Sequence, residues 1–258
     1  MVGGCRGKKF TLKIGLNLTT TAYDLGFIAS DIAFTDDQDV VTVSIPFRKV
    51  KRIGDVVIGM AGCYQCMIDF SNMVVEYVVG TTSSLVFPDS IVQRQDRDFV
   101  VIIHSAGVCM KFDKLKNATS ATVSNITQVP TVIGSGSHYV TDAFNTHKNA
   151  VVAVLEAIRH DKYTDGEVRY CSVDMEDIHN LEVSAMSNLA NVQITGLQNE
   201  IKAANDFIAD AKNVGRSYRA STHVTYVGMP DVMPLDAGMA LLQQGLGKIR
   251  KEFGPSKD

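Results

Sequence analysis

Apolar side chains along this chain recur with two periods, and the changes between them mark out its elements. In residues 10–18 (FTLKIGLNL), Phe10, Leu12, Ile14, Leu16 and Leu18 alternate with mostly polar neighbours, the period of a half-buried strand. Residues 19–34 predict a strand pair about a turn at Asp24-Leu25-Gly26. Alternation resumes over 39–45, and Asp55–Met60 predicts a short strand that runs on to Gly62. From Cys63 to Val79 the pattern changes, with Met67, Ile68, Val74, Val75 and Val78 at helical spacing. Residues 99–111 predict two strands about a turn at Ser105–Gly107, and 117–128 a loop or edge strand. Val129–Ile133 predicts a strand entering Gly134-Ser135-Gly136. Residues 138–160 predict one long amphipathic helix, with Tyr139, Ala143, His147, Val151, Val154, Leu155 and Ile158 on one side. Glu167–Val173 predicts a strand. Blocks of strands between helices point to an α+β protein of stacked antiparallel sheets flanked by helices, not to a parallel βαβ sheet.

Beyond residue 174 the pattern narrows. Ile178, Leu181, Ala185, Leu189, Val192, Leu197, Ile201, Ala204 and Ile208 step mostly by three or four, giving one long helix or two broken near Gly196. So narrow a stripe is like a coiled-coil seam, which packs on another helix within the chain or across a subunit interface; the interface is the preferred reading. Residues 217–228 predict a loop and short strand, and Ala237–Phe253 a terminal helix. The expected organisation is a leader or extra strand at 1–18, a central domain at 19–174, and a helical extension at 175–258 that is a candidate for oligomerisation.

Composition narrows the function classes. The chain has 258 residues, 45% of them apolar, enough for one sizeable core. Net charge is -3 with Lys and Arg dispersed, so no nucleic-acid footprint is expected. No apolar run approaches the roughly 18–20 residues of a membrane span. The basic residues near Met1 are followed by no long apolar run, so a secretory signal is not expected. The five cysteines are an odd number, with a single CxxC at Cys63 and Cys66. Buried apolar thiols in a reducing cytoplasm are preferred over a metal or redox site. The histidines show no metal-ligand spacing, and no metal or cofactor is expected.

The chemistry centres on Thr19-Thr20-Thr21, Asp31 and Lys49. A threonine hydroxyl is a weak nucleophile at neutral pH and needs an adjacent base and positive charge. A lysine beside it favours its alkoxide, and a carboxylate beside the lysine keeps that charge fixed. A glycine N–H can approach a tetrahedral intermediate without steric hindrance. Taken singly, Asp31 and Lys49 could be an ordinary ion pair, Ser135 a turn residue, and Asp161 a solvated helix end.

Five segments, in order, resemble the proteasome β-type (HslV-like) family of N-terminal-nucleophile hydrolases, with the phage-encoded members closest in style. TTTAYDLGFIASD is similar to the family's opening strand and return, RKVKRI to its lysine segment and VVIGMAG to its substrate wall. VIGSGSHY is similar to its serine turn and AIRHDKYTDGEV to its Asp-x-x-Ser-Gly segment, with Thr164 where serine is usual. The resemblance covers residues 19–173 and implies a four-layer αββα fold. It implies that Thr19 is nucleophile and, through its freed amine, base. Lys49 would lower the hydroxyl pKa, Asp31 would orient Lys49, and Gly62 would bind the oxyanion. Ser135, Asp161 and Thr164 would support the amine, while Met60 and Thr21 would contact the peptide substrate. It implies further a homo-oligomeric ring of six or seven subunits, an ATP-driven AAA+ unfoldase partner, and a cytoplasmic setting.

The nucleophile works only as residue one, and here 18 residues precede it, with Leu18 where the family usually has glycine. The alternation of 10–18 runs straight into Thr19. The alternative reading is therefore a non-catalytic structural or assembly subunit of the same fold, such as a phage virion component, that retains its leader. A third option is an amidohydrolase of the same fold acting on small amides.

Overall fold

The computed structural model describes residues 19–36, 40–45, 47–173, 183–213 and 224–253. The expected strand at 10–18 lies outside these residues. The elements in chain order are β1 (Thr20–Tyr23), β2 (Phe27–Ser30), β3 (Phe34–Thr35), β4 (Val41–Thr42), β5 (Val50–Ile53), β6 (Val56–Gly62), α1 (Tyr64–Val79) and α2 (Asp89–Val92). Then follow β7 (Phe99–Ser105), β8 (Val108–Lys114), β9 (Thr122–Asn125), β10 (Thr131–Gly134), a 3₁₀ turn (Ser135–His138), α3 (Thr141–His147) and α4 (Ala150–His160). The last are β11 (Arg169–Ser172), α5 (Val183–Asn213), β12 (Val224–Tyr226), β13 (Asp231–Met233) and α6 (Leu235–Phe253).

The protein is α+β, and every strand pairing among the described residues is antiparallel. One sheet has the order β11-β2-β1-β10-β12, a second the order β13-β9-β8-β7-β6-β5, and β3-β4 form a short ribbon. The apolar runs VVIGMAG and FVVIIHS follow from what each sheet face meets. In β6, Val56, Ile58 and Met60 join a cluster with α1, α5 and α6, while Val57 and Ala61 join Tyr23, Ile28 and Ile133 of the other sheet. In β7, Phe99, Val101 and Ile103 go to the helices and Val100 and Ile102 to the opposite sheet. A strand covered on both faces has no polar alternation to show. A third cluster packs Ala22, Ala29 and Val132 of the first sheet against Phe144, Ala150, Ala153, Val154 and Ala157 of α3 and α4.

Two expectations are corrected. Residues 138–160 are not one helix: α3 ends at Lys148, which sits in the left-handed region (φ 45°), and α4 restarts with Asn149 as its N-cap, the side chain accepting from Val152 N at 3.0 Å. The described residues of the segment set apart as an extension are built into the body. β12 adds to β10, β13 adds to β9, and Ile194, Leu197, Ile201 and Ala204 of α5 lie buried in the same cluster as α1 and α6. That stretch of the seam therefore packs within the chain. The helix is continuous through Gly196, whose absent side chain faces open space.

Candidate functional site

The turn that starts the site is fixed locally. Asp24 Oδ1 accepts from Gly26 N at 2.9 Å and Phe27 N at 2.7 Å, which folds β1 back onto β2. Asp24 Oδ2 accepts from Ala150 N at 2.7 Å and ties that turn to the start of α4. At the other end of the pair, Thr19 leads into β1 and Asp31 follows β2, so antiparallel pairing sets them side by side. Thr19 shares strand parity with Thr21 and Tyr23, and Tyr23 packs between the two sheets.

Thr19 Oγ1 donates to Asp31 Oδ1 at 2.9 Å. The same oxygen accepts from Thr20 N at 2.9 Å, and Asp31 Oδ2 accepts from Ala33 N at 3.0 Å. Lys49, one residue before the edge strand β5, completes the group. Its Nζ lies 2.8 Å from Asp31 Oδ1 and donates also to Thr19 Oγ1 and to the Ala33 carbonyl. The ammonium therefore has an acceptor for each of its three N–H bonds. It also lies over the Phe34 ring, 4.6 Å from the centroid. Thr19, Asp31 and Lys49 are respectively 3%, 1% and 2% exposed, so the charge pair is desolvated. Burial lowers the Lys49 pKa below its ordinary value, and Asp31 opposes that shift.

A second network lies on the other face of β1. Asp161 Oδ2 accepts from Thr164 Oγ1 at 2.7 Å and from Ser135 Oγ, and Asp161 Oδ1 accepts from Tyr163 N at 3.2 Å. Thr164 Oγ1 and Thr20 Oγ1 are hydrogen-bonded at 2.8 Å, so the chain of hydroxyls reaches the residue beside Thr19. Ser135 N donates to the Thr19 carbonyl at 3.2 Å. The glycines here are required by space. A Cβ on Gly134 (φ 103°) would lie 1.5 Å from the Thr19 carbonyl oxygen, and one on Gly136 would lie 2.2 Å from Thr20 Oγ1.

The sequence thus names six residues that the fold gathers into two networks, Thr19, Asp31 and Lys49 in one and Ser135, Asp161 and Thr164 in the other. The remaining three stand differently. Thr21 is fully buried in the middle of its sheet between β2 and β10, and its hydroxyl is spent on the Met60 carbonyl at 2.9 Å. The hydroxyl proton is thus engaged within the fold. Met60 is fully buried in the cluster that includes Phe34, Phe47 and Tyr64, forming apolar packing near Lys49. Gly62 has a packing reason of its own: at φ 105° a Cβ would meet the Asp98 carbonyl oxygen at 2.5 Å. Sequence reasoning missed the Ala33 carbonyl and the Thr20 hydroxyl. Thr20 stood in the quoted threonine run, and strand alternation separates its side from that of Thr19.

Cys63, Cys66 and Cys109 are buried free thiols and Cys171 is half-buried. A hydrogen bond from Cys66 draws the Cys63 thiol down to about 7 despite its burial, and the same contact with burial pushes Cys66 up. Among the described residues no group of three or more His, Cys, Asp and Glu side chains could hold a metal, and no helix is long and apolar enough to cross a membrane. Compared with known proteins, the chain matches no family model and no curated protein sequence.

Proposed function

We propose that the chain is a ring-forming threonine peptidase subunit of the proteasome β-type, HslV-like kind, hydrolysing peptide bonds once Thr19 has become residue one. One observation carries this reading: a fully buried ammonium, Lys49 Nζ, donates to the Thr19 hydroxyl while paired with Asp31 at 2.8 Å. Burying a charge pair costs several kcal/mol per ion unless the geometry repays it. A threonine hydroxyl at its centre is a costly place for a merely structural side chain. The two sheets between helical clusters also support the finer fold of the proposal, a four-layer αββα sandwich.

In the proposed mechanism Thr19 Oγ1 first attacks the carbonyl carbon of residue 18. The peptide bond becomes an ester and the Thr19 amine is freed; water then hydrolyses the ester and releases residues 1–18. In turnover the free amine takes the hydroxyl proton as Oγ1 attacks the substrate carbonyl. Lys49 stabilises the developing alkoxide, and the Gly62 N–H serves the oxyanion. The amine returns the proton to the leaving nitrogen, and water hydrolyses the ester to regenerate Thr19. Asp31 orients Lys49, and Ser135, Asp161 and Thr164 hold the backbone of β1 in register with the amine. Met60 lends an apolar wall. The implied partners, a ring of like subunits and an ATP-driven unfoldase, rest on the family resemblance alone.

The near-complete burial of Thr19 favours a second reading. A chain that keeps residues 1–18 has no amine at Thr19, and loss of a general base costs about 10²–10⁴ in rate. Such a chain would be a structural or assembly subunit, for instance in a virion. The intact mass of purified wild-type protein beside that of Thr19→Ala separates the two. The peptidase reading expects wild type to lack residues 1–18 and the variant to keep them. Equal full-length masses would overturn it.

A further inference from the structure

One short segment surrounds the Lys49 ammonium with three different groups. Asp31 gives a carboxylate oxygen and Ala33 a carbonyl, both accepting from Lys49 Nζ, and the next residue, Phe34, gives a ring face 4.6 Å away. The bond from Ala33 N to Asp31 Oδ2 bends the segment so that these groups meet at one point. Other rings hold that of Phe34 in place. It is buried and meets Tyr64 of α1 edge-on, with centroids 4.6 Å apart. Tyr64 in turn packs edge-on against Phe47 at 5.6 Å and against Phe207 of α5 at 6.4 Å. Phe47 carries a different cation on its face, Lys51 Nζ at 3.7 Å.

The ring does something that a further oxygen could not. Burial favours the neutral amine, which would neither balance Asp31 nor stabilise an alkoxide at Thr19. Another oxygen would favour the charge but compete with Thr19 Oγ1 for one of three N–H bonds. A ring face attracts the cation through its quadrupole and takes no N–H bond. It therefore supports the charged form and leaves the bond to Thr19 in place. An aliphatic side chain of similar size would fill the space without that attraction. The charged group at Nζ is Asp31, the Tyr64 phenol packs on Phe34, and Lys51, two residues on, is paired with Glu200 of α5 at 3.5 Å.

We propose that Phe34 is a positioning residue for the chemistry of Thr19, its ring face holding Lys49 as an ammonium aimed at Thr19 Oγ1. The inference rests on the peptidase reading, and its test keeps the two apart. Phe34 is replaced by phenylalanines carrying one, two and three ring fluorines, which nearly keep its shape while draining negative charge from its face. The same series at Phe47, in the same cluster but under Lys51, is the control. Two quantities are read in each protein: the rate of Thr19 acylation by a peptide electrophile against pH, and the titration of Lys49 by NMR of isotope-labelled lysine. At Phe34 the rate should fall stepwise, by about three- to tenfold with the most fluorinated ring. Losing attraction for the charged form lowers the lysine pKa, so the alkaline limb of the rate profile and the Lys49 signal should both move to lower pH. Phe34→Leu should resemble the most fluorinated ring, and fluorination at Phe47 should move neither quantity. A Lys49 titration that ignores fluorination at Phe34, or responds equally to it at Phe47, would overturn the proposal. So would a constant rate across the Phe34 series in protein that does acylate. Wild-type protein with no acylation at Thr19 would overturn the peptidase reading instead, and the Lys49 titration would still decide whether Phe34 holds the ammonium.

Discussion

At Lys49 three acceptors meet one buried ammonium, and stability and chemistry depend on the same contacts. Lys49→Met keeps the volume but leaves the Asp31 carboxylate buried without its counter-charge. Breaking a buried pair from one side costs about 3–5 kcal/mol, so urea unfolding should show a loss of that size. Thr19→Ala keeps the pair but removes a hydroxyl bonded to both of its charges, for a smaller loss of about 1.5–3 kcal/mol. Similar losses for the two would mean that Lys49 and Asp31 do not form the central contact. Lys51 gives a separate pH signature. Burial lowers its pKa from 10.5 to about 8, with Glu200 opposing the shift and Arg48 adding to it. Between those values the unfolded chain binds the proton and the native chain does not, so this group makes stability rise with pH from about 8 to 10.5. Tyr23 and the buried thiols carry shifts of their own, Cys63 downward and the others upward. The effect is therefore read as the difference between wild type and Lys51→Met, whose curve should lack that rise. Parallel curves would contradict it.

At the scale of elements, the site depends on a close backbone approach. Gly134 lets β10 pass the Thr19 carbonyl, and there is no side-chain tip that could yield to a Cβ at 1.5 Å. Gly134→Ala should destabilise by about 3 kcal/mol or more, since it combines a backbone clash with a positive φ. Gly107, at φ 78° with nothing within 4 Å of its would-be Cβ, provides the control. Gly107→Ala should cost only about 1 kcal/mol in thermal unfolding. Equal effects would sink the close-approach account. Much of this layer could be read from sequence. The Asp24 turn, the covered runs of β6 and β7 and the helix from residue 64 follow from turn residues and periodicity. The break between α3 and α4 did not show, because Lys148 takes a left-handed conformation that glycine or asparagine would have announced. Asn149 was the available signal, an N-cap within an otherwise apolar stripe. Thr19, Asp31 and Lys49 were singled out through the five segments that resemble one family in order; taken singly, Asp31 and Lys49 also fit an ordinary ion pair. The Ala33 carbonyl was not, because a backbone acceptor carries no residue code.

For the whole molecule, residues 183–213 and 224–253 pack with the body. Leu242 and Leu246 of α6 are fully buried against the same sheet as α1, and Ser105 Oγ donates to the Leu241 carbonyl at 2.8 Å. The narrow stripe of α5 did not show its partner, because a seam looks alike whether the helix it packs on is in the same chain or another. Leu242→Ala should therefore lower the folding free energy by about 2–5 kcal/mol, the range for emptying a core leucine site. Its midpoint shift in calorimetry should not depend on protein concentration. A shift that vanishes on dilution would return α6 to an intersubunit role.

The account turns on whether Thr19 becomes a nucleophile with its own amine free. The most direct test is to treat the purified protein with an acylating peptide electrophile and map the adduct by mass spectrometry. The account predicts acylation at Thr19, in chains that begin at Thr19, and none in Lys49→Met. Peptide hydrolysis by chains that still carry residues 1–18, or an adduct on any other residue, would contradict it.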